Sequence, residues 1–212
     1  MATVLNRPER QVNLRVSWDT YERLLAEHEG NSGIRFTYNQ GELEILVPSV
    51  EHETLTSNIE ALVELLADEL ERDFIRTRST TFRREDLEKG FEPDSSFYFQ
   101  NAERVRGKKR LNLKKDPPPE LIIEVDITHE SMNKFPIYSG IGVTEVWRYT
   151  GDALQIYTLQ GNEYVLRNES AIFPKATASI LTSFIQSSLE LKRPVWIKRV
   201  REWAHASASL ED

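Results

Sequence analysis

The segment 118–130, PPELIIEVDITHE, constrains the fold more than any other part of this chain, because its aliphatic run predicts a strand inside a sheet. Glu124 and Asp126 interrupt that run. Alternate residues of a strand face the same side, so both carboxylates point the same way. Burying them without compensation is costly. The sequence therefore predicts a buried strand with an acidic face.

Helices and strands alternate irregularly around this strand, which predicts an α/β or α+β fold with a mixed sheet. Apolar spacing and capping residues predict helices that run from Ser17 to Gly30, over about 51–72, from Thr128 towards Gly140, near 177–190 and near 194–206. Alternation and turn residues predict strands or hairpins over 34–48, 73–84, 95–99, 144–159 and 163–168. Thr128 is the expected N-cap of its helix, and Pro136 is expected to shorten or kink it.

The chain has 212 residues, of which 39% are hydrophobic and 29% charged, and this fits a globular protein. We expect a single domain over 1–212, with a core of about 17–168 and a C-terminal helical extension of about 177–206. The absence of cysteine excludes disulfides, thiolate catalysis and zinc–thiolate sites. No apolar run approaches about 18 residues, and the first residues lack the apolar core of a secretory signal. We therefore expect a cytoplasmic protein without membrane contact.

One segment is strongly basic although the formal net charge of the chain is −7. The segment RVRGKKRLNLKK carries seven cationic residues and no acid: Arg104, Arg106, Lys108, Lys109, Arg110, Lys114 and Lys115. A basic loop on an acidic protein fits local contact with the phosphates of a nucleic acid. The alternative is an ordinary solvated loop.

A cluster of carboxylates is expected around the acidic strand. Asp94 follows Pro93 at the start of a predicted strand, and neighbouring antiparallel strands would bring it to Glu124 and Asp126. Like charges that close require a cation or a proton, and carboxylate oxygens suit Mg²⁺ or Mn²⁺. Such a metal polarises a phosphoryl oxygen and generates hydroxide from bound water. The structural alternative is that the strand acid meets an arginine across the sheet and Asp94 caps a turn.

Three ordered segments, FEPDSSFYF, PPPELIIEVDITHES and NKFPIYSGIGVTEVWRY, resemble the Uma-type restriction endonuclease family, which is assigned to the PD-(D/E)XK nuclease superfamily. The upstream segment GELEILVPSVEHE resembles the Gly-Glu-Leu, Pro and His pattern of the same family. The resemblance spans roughly residues 17 to 160. It implies a restriction-endonuclease-like fold, in which a mixed central sheet is flanked by helices.

The resemblance also implies roles for individual residues. Asp94 takes the place of the superfamily's metal-binding Asp, and Glu124 takes the place of its strand acid. The superfamily places a Lys two residues after that acid, where this chain has Asp126. Lys134, on the following helix, is the expected substitute, because a long ammonium side chain can reach back to orient or activate water. The expected catalytic set is these four residues, of which the three acids are the expected metal ligands.

Two further residues are candidates for the site. His52 matches the His of the family pattern and would contact a phosphate or support the site, or else is an ordinary residue at the start of a helix. Glu42 is a second residue that could face the site.

The leading hypothesis is a metal-dependent endonuclease that hydrolyses DNA, with Mg²⁺ or Mn²⁺ as its cofactor. A homodimer is expected, because two copies related by a two-fold axis can cut both strands. Asp126 in place of Lys and the acidic net charge favour a second hypothesis, a nuclease-fold module that binds nucleic acid or regulates without cleavage. A third hypothesis is a hydrolase of a small phosphorylated metabolite.

Overall fold

The computed structural model of the chain describes residues 9–30, 33–127 and 132–208. In those ranges the strands are β1 (Arg10–Arg15), β2 (Arg35–Asn39), β3 (Glu42–Val47), β4 (Ile75–Arg76), β5 (Phe82–Arg84), β6 (Lys89–Phe91), β7 (Ser95–Tyr98), β8 (Leu121–Val125), β9 (Glu145–Tyr149), β10 (Leu154–Gln160) and β11 (Glu163–Arg167). The helices there are α1 (Trp18–Glu27), α2 (Val50–Glu69), α3 (Ala102–Val105), α4 (Phe135–Ile141), α5 (Ala178–Glu190) and α6 (Arg193–Ala208), with a 3₁₀ turn at Glu85–Leu87.

The strands form two sheets. The first sheet has the order β1-β3-β2-β6-β5 and is antiparallel throughout. The second sheet has the order β11-β10-β9-β8-β7-β4 and is mixed, because β8 and β9 run parallel. A parallel pair needs a crossover, and α4 lies in the connection between β8 and β9. The chain passes from the first sheet to the second over residues 92–94, between β6 and β7.

Helix α2 supports the second sheet. The Ser49 side chain accepts a hydrogen bond from the backbone N–H of His52 (3.1 Å), which caps the helix at its start. Ile59, Leu62 and Leu66 recur at helical spacing and are fully buried. They pack in one core with the odd-numbered apolar residues of β8 and with side chains from α5 and α6. The long apolar helix predicted from the sequence is therefore the main cover of one sheet face.

Strand β8 is buried on both faces. Ile123 belongs to the core under α2, whereas Ile122 belongs to a second core with Tyr138 and Ile141 of α4. Glu124 points to the same side as Ile122, because alternate residues share a face. The acidic face of the strand is therefore covered by α4 and is not open to bulk solvent.

The predicted fold class, a mixed α/β fold with a sheet flanked by helices, is confirmed. The hairpin predicted over 34–48 is confirmed as β2 and β3, which pair antiparallel and belong to the first sheet. The single-domain prediction, with its core of about 17–168 and its extension of about 177–206, stays a prediction. In the described ranges no helix is both long and apolar enough to cross a membrane.

The helix after the acidic strand is shorter than predicted. Helix α4 begins only at Phe135, with Pro136 in its first turn, where a missing backbone N–H costs little. The predicted N-cap, Thr128, lies outside the described residues. Lys134, which was expected on this helix, is the residue immediately before it.

Candidate active site

Three strands of the second sheet bring polar residues into one row. The register pairs Ser95 with Ile123, so that Asp94, one residue before β7, lies beside Glu124. On the other side Glu124 pairs directly with Arg148 of the parallel strand β9. Residues paired across a sheet share a face and have their Cβ atoms about 4.5–5.5 Å apart. The neighbouring-strand placement expected for Asp94 and Glu124 is therefore present, and Arg148 extends the row.

Glu124 is compensated by two side chains from the region of α4. The ammonium Nζ of Lys134 donates to Oε2 of Glu124 at 2.6 Å. The Tyr138 hydroxyl donates to Oε1 of the same carboxylate. The side chains of Glu124 and Lys134 are only 5% and 10% exposed. This is a closely paired buried ion pair, and the Lys134 ammonium points into the acidic cluster as expected from the sequence.

A fourth carboxylate reaches this cluster from the first sheet. Oε1 of Glu44, on β3, lies 3.9 Å from Nζ of Lys134. Its Oε2 accepts hydrogen bonds from the side chain of Gln11 (2.7 Å) and from the backbone N–H of Met132 (2.6 Å). The two sheets are therefore bridged through one lysine, which lies between two buried acids.

Asp94 has its own set of partners. Its Oδ1 lies 3.1 Å from Nε of Arg35 and 2.8 Å from Nε2 of His52. Its Oδ2 accepts the backbone N–H of Val125 at 2.8 Å. The contact with Val125 ties the loop before β7 to the residue that follows Glu124, which fixes the spacing between the two carboxyl groups.

His52 lies between two carboxylates. Its Nδ1 is hydrogen-bonded to Oε2 of Glu9 at 2.7 Å, and its Nε2 faces Asp94 as an ion pair, since the N–H is not aligned for a hydrogen bond. The His52 side chain is 1% exposed. His52 therefore supports Asp94 from behind, which is the second of the two roles expected for it.

The environment moves the pKa values of the two central acids in opposite directions. Burial raises the pKa of Glu124 to about 7, with Asp94 and Asp126 adding to the shift and Lys134 opposing it. Burial also acts to raise the pKa of Asp94, but the contact with His52, together with Lys134 and Arg35, outweighs it and lowers that pKa to about 2. Two neighbouring carboxyl groups whose pKa values differ in this way are typical of sites that use one acid as a fixed charge and the other as a proton carrier.

The cations that face these acids are also held in their charged forms. Burial opposes the charge on Lys134, but Glu124, Glu44 and the other acids of the cluster outweigh it and raise the lysine's pKa. Burial likewise opposes the charge on His52, whereas Asp94 and Glu9 raise its pKa to about 9. At neutral pH Asp94, Lys134 and His52 are therefore charged, whereas Glu124 is close to its pKa.

Asp126 lies just beyond the end of β8 and pairs with an arginine across the sheet. Its Oδ2 accepts a hydrogen bond from Nε of Arg148 at 2.6 Å. The structural alternative considered for a strand acid thus holds for Asp126. The strand carries two carboxylates on one face because each has a cation to meet, Lys134 for Glu124 and Arg148 for Asp126.

A cavity of about 280 Å³ opens at this cluster. It is lined by Glu124, Asp126, Met132, Asn133, Lys134, Phe135, Tyr138, Val146 and Arg148. Two acidic side chains, two cationic side chains and a tyrosine therefore line the same cavity together with apolar side chains, as in many ligand sites. Asp94 does not line this cavity.

The described residues contain no group of three or more His, Cys, Asp or Glu side chains placed to hold a metal ion. The three carboxylates of Asp94, Glu124 and Asp126 therefore do not form the metal site predicted from the sequence, because Asp126 pairs with Arg148. Asp94 and Glu124 remain adjacent. Mg²⁺ is usually bound by one or two carboxylates together with water and substrate phosphates. The donor chemistry of this pair fits such an ion, with the Lys134 ammonium beside it.

The basic segment is more neutralised than its sequence indicates. Arg106 pairs with Glu103 and Asp73, Lys108 pairs with Asp116, and Arg110 and Lys114 meet Glu29 and Glu85 at 3.0 and 3.7 Å. Arg104 donates to the Asn101 side chain at 3.2 Å. Among the described residues Lys109 and Lys115 have no ion-pair partner. The segment therefore offers fewer unpaired charges than the seven counted from sequence.

Glu42 does not reach the cluster. It is half-exposed and pairs with Arg15 at 3.1 Å on the outer strand β1. Glu44 points to the same face two residues further on and is 2% exposed, so it is the acid of β3 that meets Lys134. Sequence reasoning also missed Arg148 and Tyr138, and the only signal for Arg148 was a charged residue between Trp147 and Tyr149 in an apolar strand.

Comparison with known proteins gives a family and a fold. The family model Uma2, described as "Putative restriction endonuclease", matches residues 18–192. Among solved structures, a protein from Anabaena variabilis ATCC 29413, titled a "putative nuclease belonging to DUF820", superposes with a TM-score of 0.50. It is 14% identical, and the match covers 71% of this chain and 90% of that one. No curated protein matches the chain.

Proposed function

The chain belongs to the Uma2 family, and from this premise we propose that it is a metal-dependent endonuclease that hydrolyses phosphodiester bonds in DNA. The observation that carries the proposal is the buried contact between Lys134 and Glu124, 2.6 Å long and open to a cavity. It supplies an acid and a lysine side by side although the lysine comes from a different element than in the superfamily motif.

Asp94 and Glu124 are the residues that would hold Mg²⁺ or Mn²⁺. When bound, such an ion polarises a phosphoryl oxygen and lowers the pKa of a bound water. Asp94 suits this part because its lowered pKa keeps it ionised at all physiological pH values. Asp126 has a different part in the proposal, since it holds Arg148 at the edge of the same cavity.

The chain's own groups prepare the attack on phosphorus. Lys134 stays protonated, so it orients a water and stabilises the negative charge that develops on the phosphoryl oxygens, and it does not remove a proton. Glu124 would share the ion with Asp94, and its contact with Lys134 keeps the ammonium beside these two carboxylates. The Tyr138 hydroxyl holds the Glu124 carboxylate in place through its hydrogen bond. Positioning by buried, paired side chains keeps this geometry fixed before substrate arrives.

Contact with the rest of the DNA is proposed for the basic segment. Lys109 and Lys115 have no ion-pair partner among the described residues and can meet phosphates directly. Arg106, Arg110 and Lys114 would exchange exposed protein partners for phosphates, which is favourable because exposed ion pairs contribute little. Arg104 and Lys108 are proposed to contact phosphates from the same segment. This part of the interaction should be sequence-independent and weakened by salt.

Two observations favour a second candidate function. Asp94 and Glu124 are both compensated by protein cations already, and the superfamily's strand lysine is replaced by an acid. A nuclease-fold module that binds nucleic acid without cutting would need no more than this.

Plasmid cleavage separates the two functions. Supercoiled DNA incubated with the protein and millimolar Mg²⁺ or Mn²⁺ should be nicked or linearised, and Asp94→Asn should abolish this. Binding of DNA without cleavage in either metal would instead support the non-cutting module, and absence of both would leave a small phosphorylated metabolite as the substrate class to examine.

The protein is also proposed to act as a homodimer. Two copies related by a two-fold axis present two sites to the two strands of a duplex. Val12 and Leu14 lie on one face of the outer strand β1, and 50% and 44% of their surface is exposed. This strand at the edge of the sheet therefore offers apolar side chains to a second copy. Light scattering should give twice the chain mass of 24.6 kDa, and a mass near 24.6 kDa at micromolar concentration would refute the dimer.

A further inference from the structure

Arg148 is placed beside the proposed reacting groups but is used by none of the steps above. It lies on β9 in direct register with Glu124, so its side chain rises from the same face of the sheet. It lines the cavity that Glu124, Lys134 and Tyr138 also line. Its position is therefore that of a residue that meets whatever enters the cavity.

The guanidinium group of Arg148 is only partly used by the protein. Its Nε donates to Oδ2 of Asp126 at 2.6 Å. Within the described part of the chain, its two terminal nitrogens have no hydrogen-bonding partner, and the side chain is 33% exposed. An arginine that served only to neutralise Asp126 would commonly present two nitrogens to the two carboxylate oxygens. Here one edge of the fork is fixed and the other edge remains available.

The contact with Asp126 sets the orientation of the two terminal nitrogens of Arg148. A short charge-assisted hydrogen bond to Nε fixes the plane of the guanidinium, and the two terminal nitrogens then form a preorganised donor pair. The superfamily's lysine position is thus occupied by an acid that holds a cation from the neighbouring strand. In place of a lysine on β8, the positive charge comes from Arg148 on β9, and it lies on the same face of the sheet.

We propose that Arg148 is a phosphate-binding residue of this cavity, which holds a phosphoryl oxygen of the substrate through its terminal nitrogens while Asp126 orients it. Planar guanidinium groups match the oxygens of phosphate in a bidentate way. The cavity volume of about 280 Å³ lies just below the range of roughly 300–1,000 Å³ of small-molecule pockets. It therefore admits one phosphoryl group with part of its ester substituents. The identity of the ligand as a nucleic-acid phosphodiester rests on the proposed nuclease function, but the anion site does not.

DNA binding without metal tests this assignment. The affinity of the full chain for a fluorescent DNA duplex is measured in EDTA over a series of salt concentrations, so that no cleavage is needed. Arg148→Gln should weaken binding by about tenfold or more, because hydrogen bonds between charged groups contribute about 1.5–3 kcal/mol. It should also lower the slope of log K against log salt by about 0.9, the value for one lost phosphate contact.

Three variants serve as comparisons. Arg167→Gln is the matched control, since Arg167 is an exposed arginine of the same sheet whose register through Ile156 and Trp147 puts it on the opposite face. It should change neither affinity nor slope. Arg148→Lys should keep the slope and recover part of the affinity, because the charge remains but the bidentate geometry is lost. Asp126→Asn should weaken binding without changing the slope.

The outcomes separate this assignment from the nuclease proposal. The assignment of Arg148 would be overturned if Arg148→Gln melts like the parent and has the same DNA affinity and salt slope as Arg167→Gln. This holds even if the parent cuts DNA. A loss specific to Arg148 would support it even if the parent does not cut. If the parent does not bind the duplex, but inorganic phosphate raises its melting temperature and Arg148→Gln abolishes that rise, the anion site is supported and a free phosphate ester is assigned as its ligand.

Discussion

Replacement of Lys134 by Met should destabilise the protein strongly, because it leaves Glu124 buried without its cation. The two side chains are 10% and 5% exposed and 2.6 Å apart, so the pair is screened little by water. Removal of one partner from a buried ion pair costs about 3–5 kcal/mol. At about 2–4 °C per kcal/mol for a chain of this size, the melting temperature should fall by about 6–20 °C.

The pH dependence of this loss identifies its cause. The pKa of Glu124 is raised by burial, and removal of the ammonium raises it further, so the variant can protonate Glu124 at acidic pH. The difference between parent and variant should therefore be small near pH 5 and should grow as the pH rises above 7. Denaturant unfolding at pH 5 and pH 8 measures it directly.

A double variant provides the control. Lys134→Met combined with Glu124→Gln leaves no buried charge and should recover most of the lost stability, since the two effects are coupled. A Lys134→Met protein within 1 kcal/mol of the parent at pH 8 would show that the ion pair is not closed in solution. The contact on which the proposed active site rests would then be absent.

Three further predictions concern the rest of the fold and site. The raised pKa of His52, about 9 against an unfolded value of 6.5, contributes about 3 kcal/mol of stability that is complete below pH 6.5 and lost as the pH rises through 9. The unfolding free energies of the parent and of His52→Gln should therefore converge between pH 6.5 and 9, and a constant difference would contradict this. Millimolar Mg²⁺ should raise the melting temperature of the parent, because a ligand at a hundredfold excess over its Kd stabilises the native state by roughly 2.7 kcal/mol. Asp94→Asn should weaken this effect, and a melting temperature that does not change with metal would count against the cation site. Ile123→Ala should cost about 2–5 kcal/mol in denaturant unfolding because Ile123 is fully buried in the core under α2, whereas exposed Leu166→Ala should cost little, and equal losses would contradict that placement.

Local sequence signals predicted most elements of the fold. Helix α2 carries a continuous apolar stripe and a Ser cap, and β8 is aliphatic on both faces, so each is specified within its own segment. Strand β1 was missed, because its residues are mostly exposed and its alternation is weak. The start of α4 was misplaced, because Pro136 is acceptable in a first helical turn as well as at a break.

The site was predictable only where its residues follow one another in neighbouring strands. Asp94 and Glu124 could be paired because their strands are antiparallel neighbours. Glu44 could not, since it contacts a lysine 90 positions away through the packing of one sheet against another. The partner of Asp126 depended on which strand lies beside β8, and a sequence does not show that β9 returns in parallel and places Arg148 there.

The most direct measurement of the central claim is the rate of DNA cleavage by Lys134→Arg relative to the parent. This substitution keeps the positive charge beside Glu124, so the fold should be retained, but it replaces a compact ammonium by a wide planar group. If Lys134 positions the attacking water, a displacement of about 1 Å should lower the rate by about a hundredfold at unchanged melting temperature. Cleavage by Lys134→Arg at the rate of the parent would contradict the proposed active site.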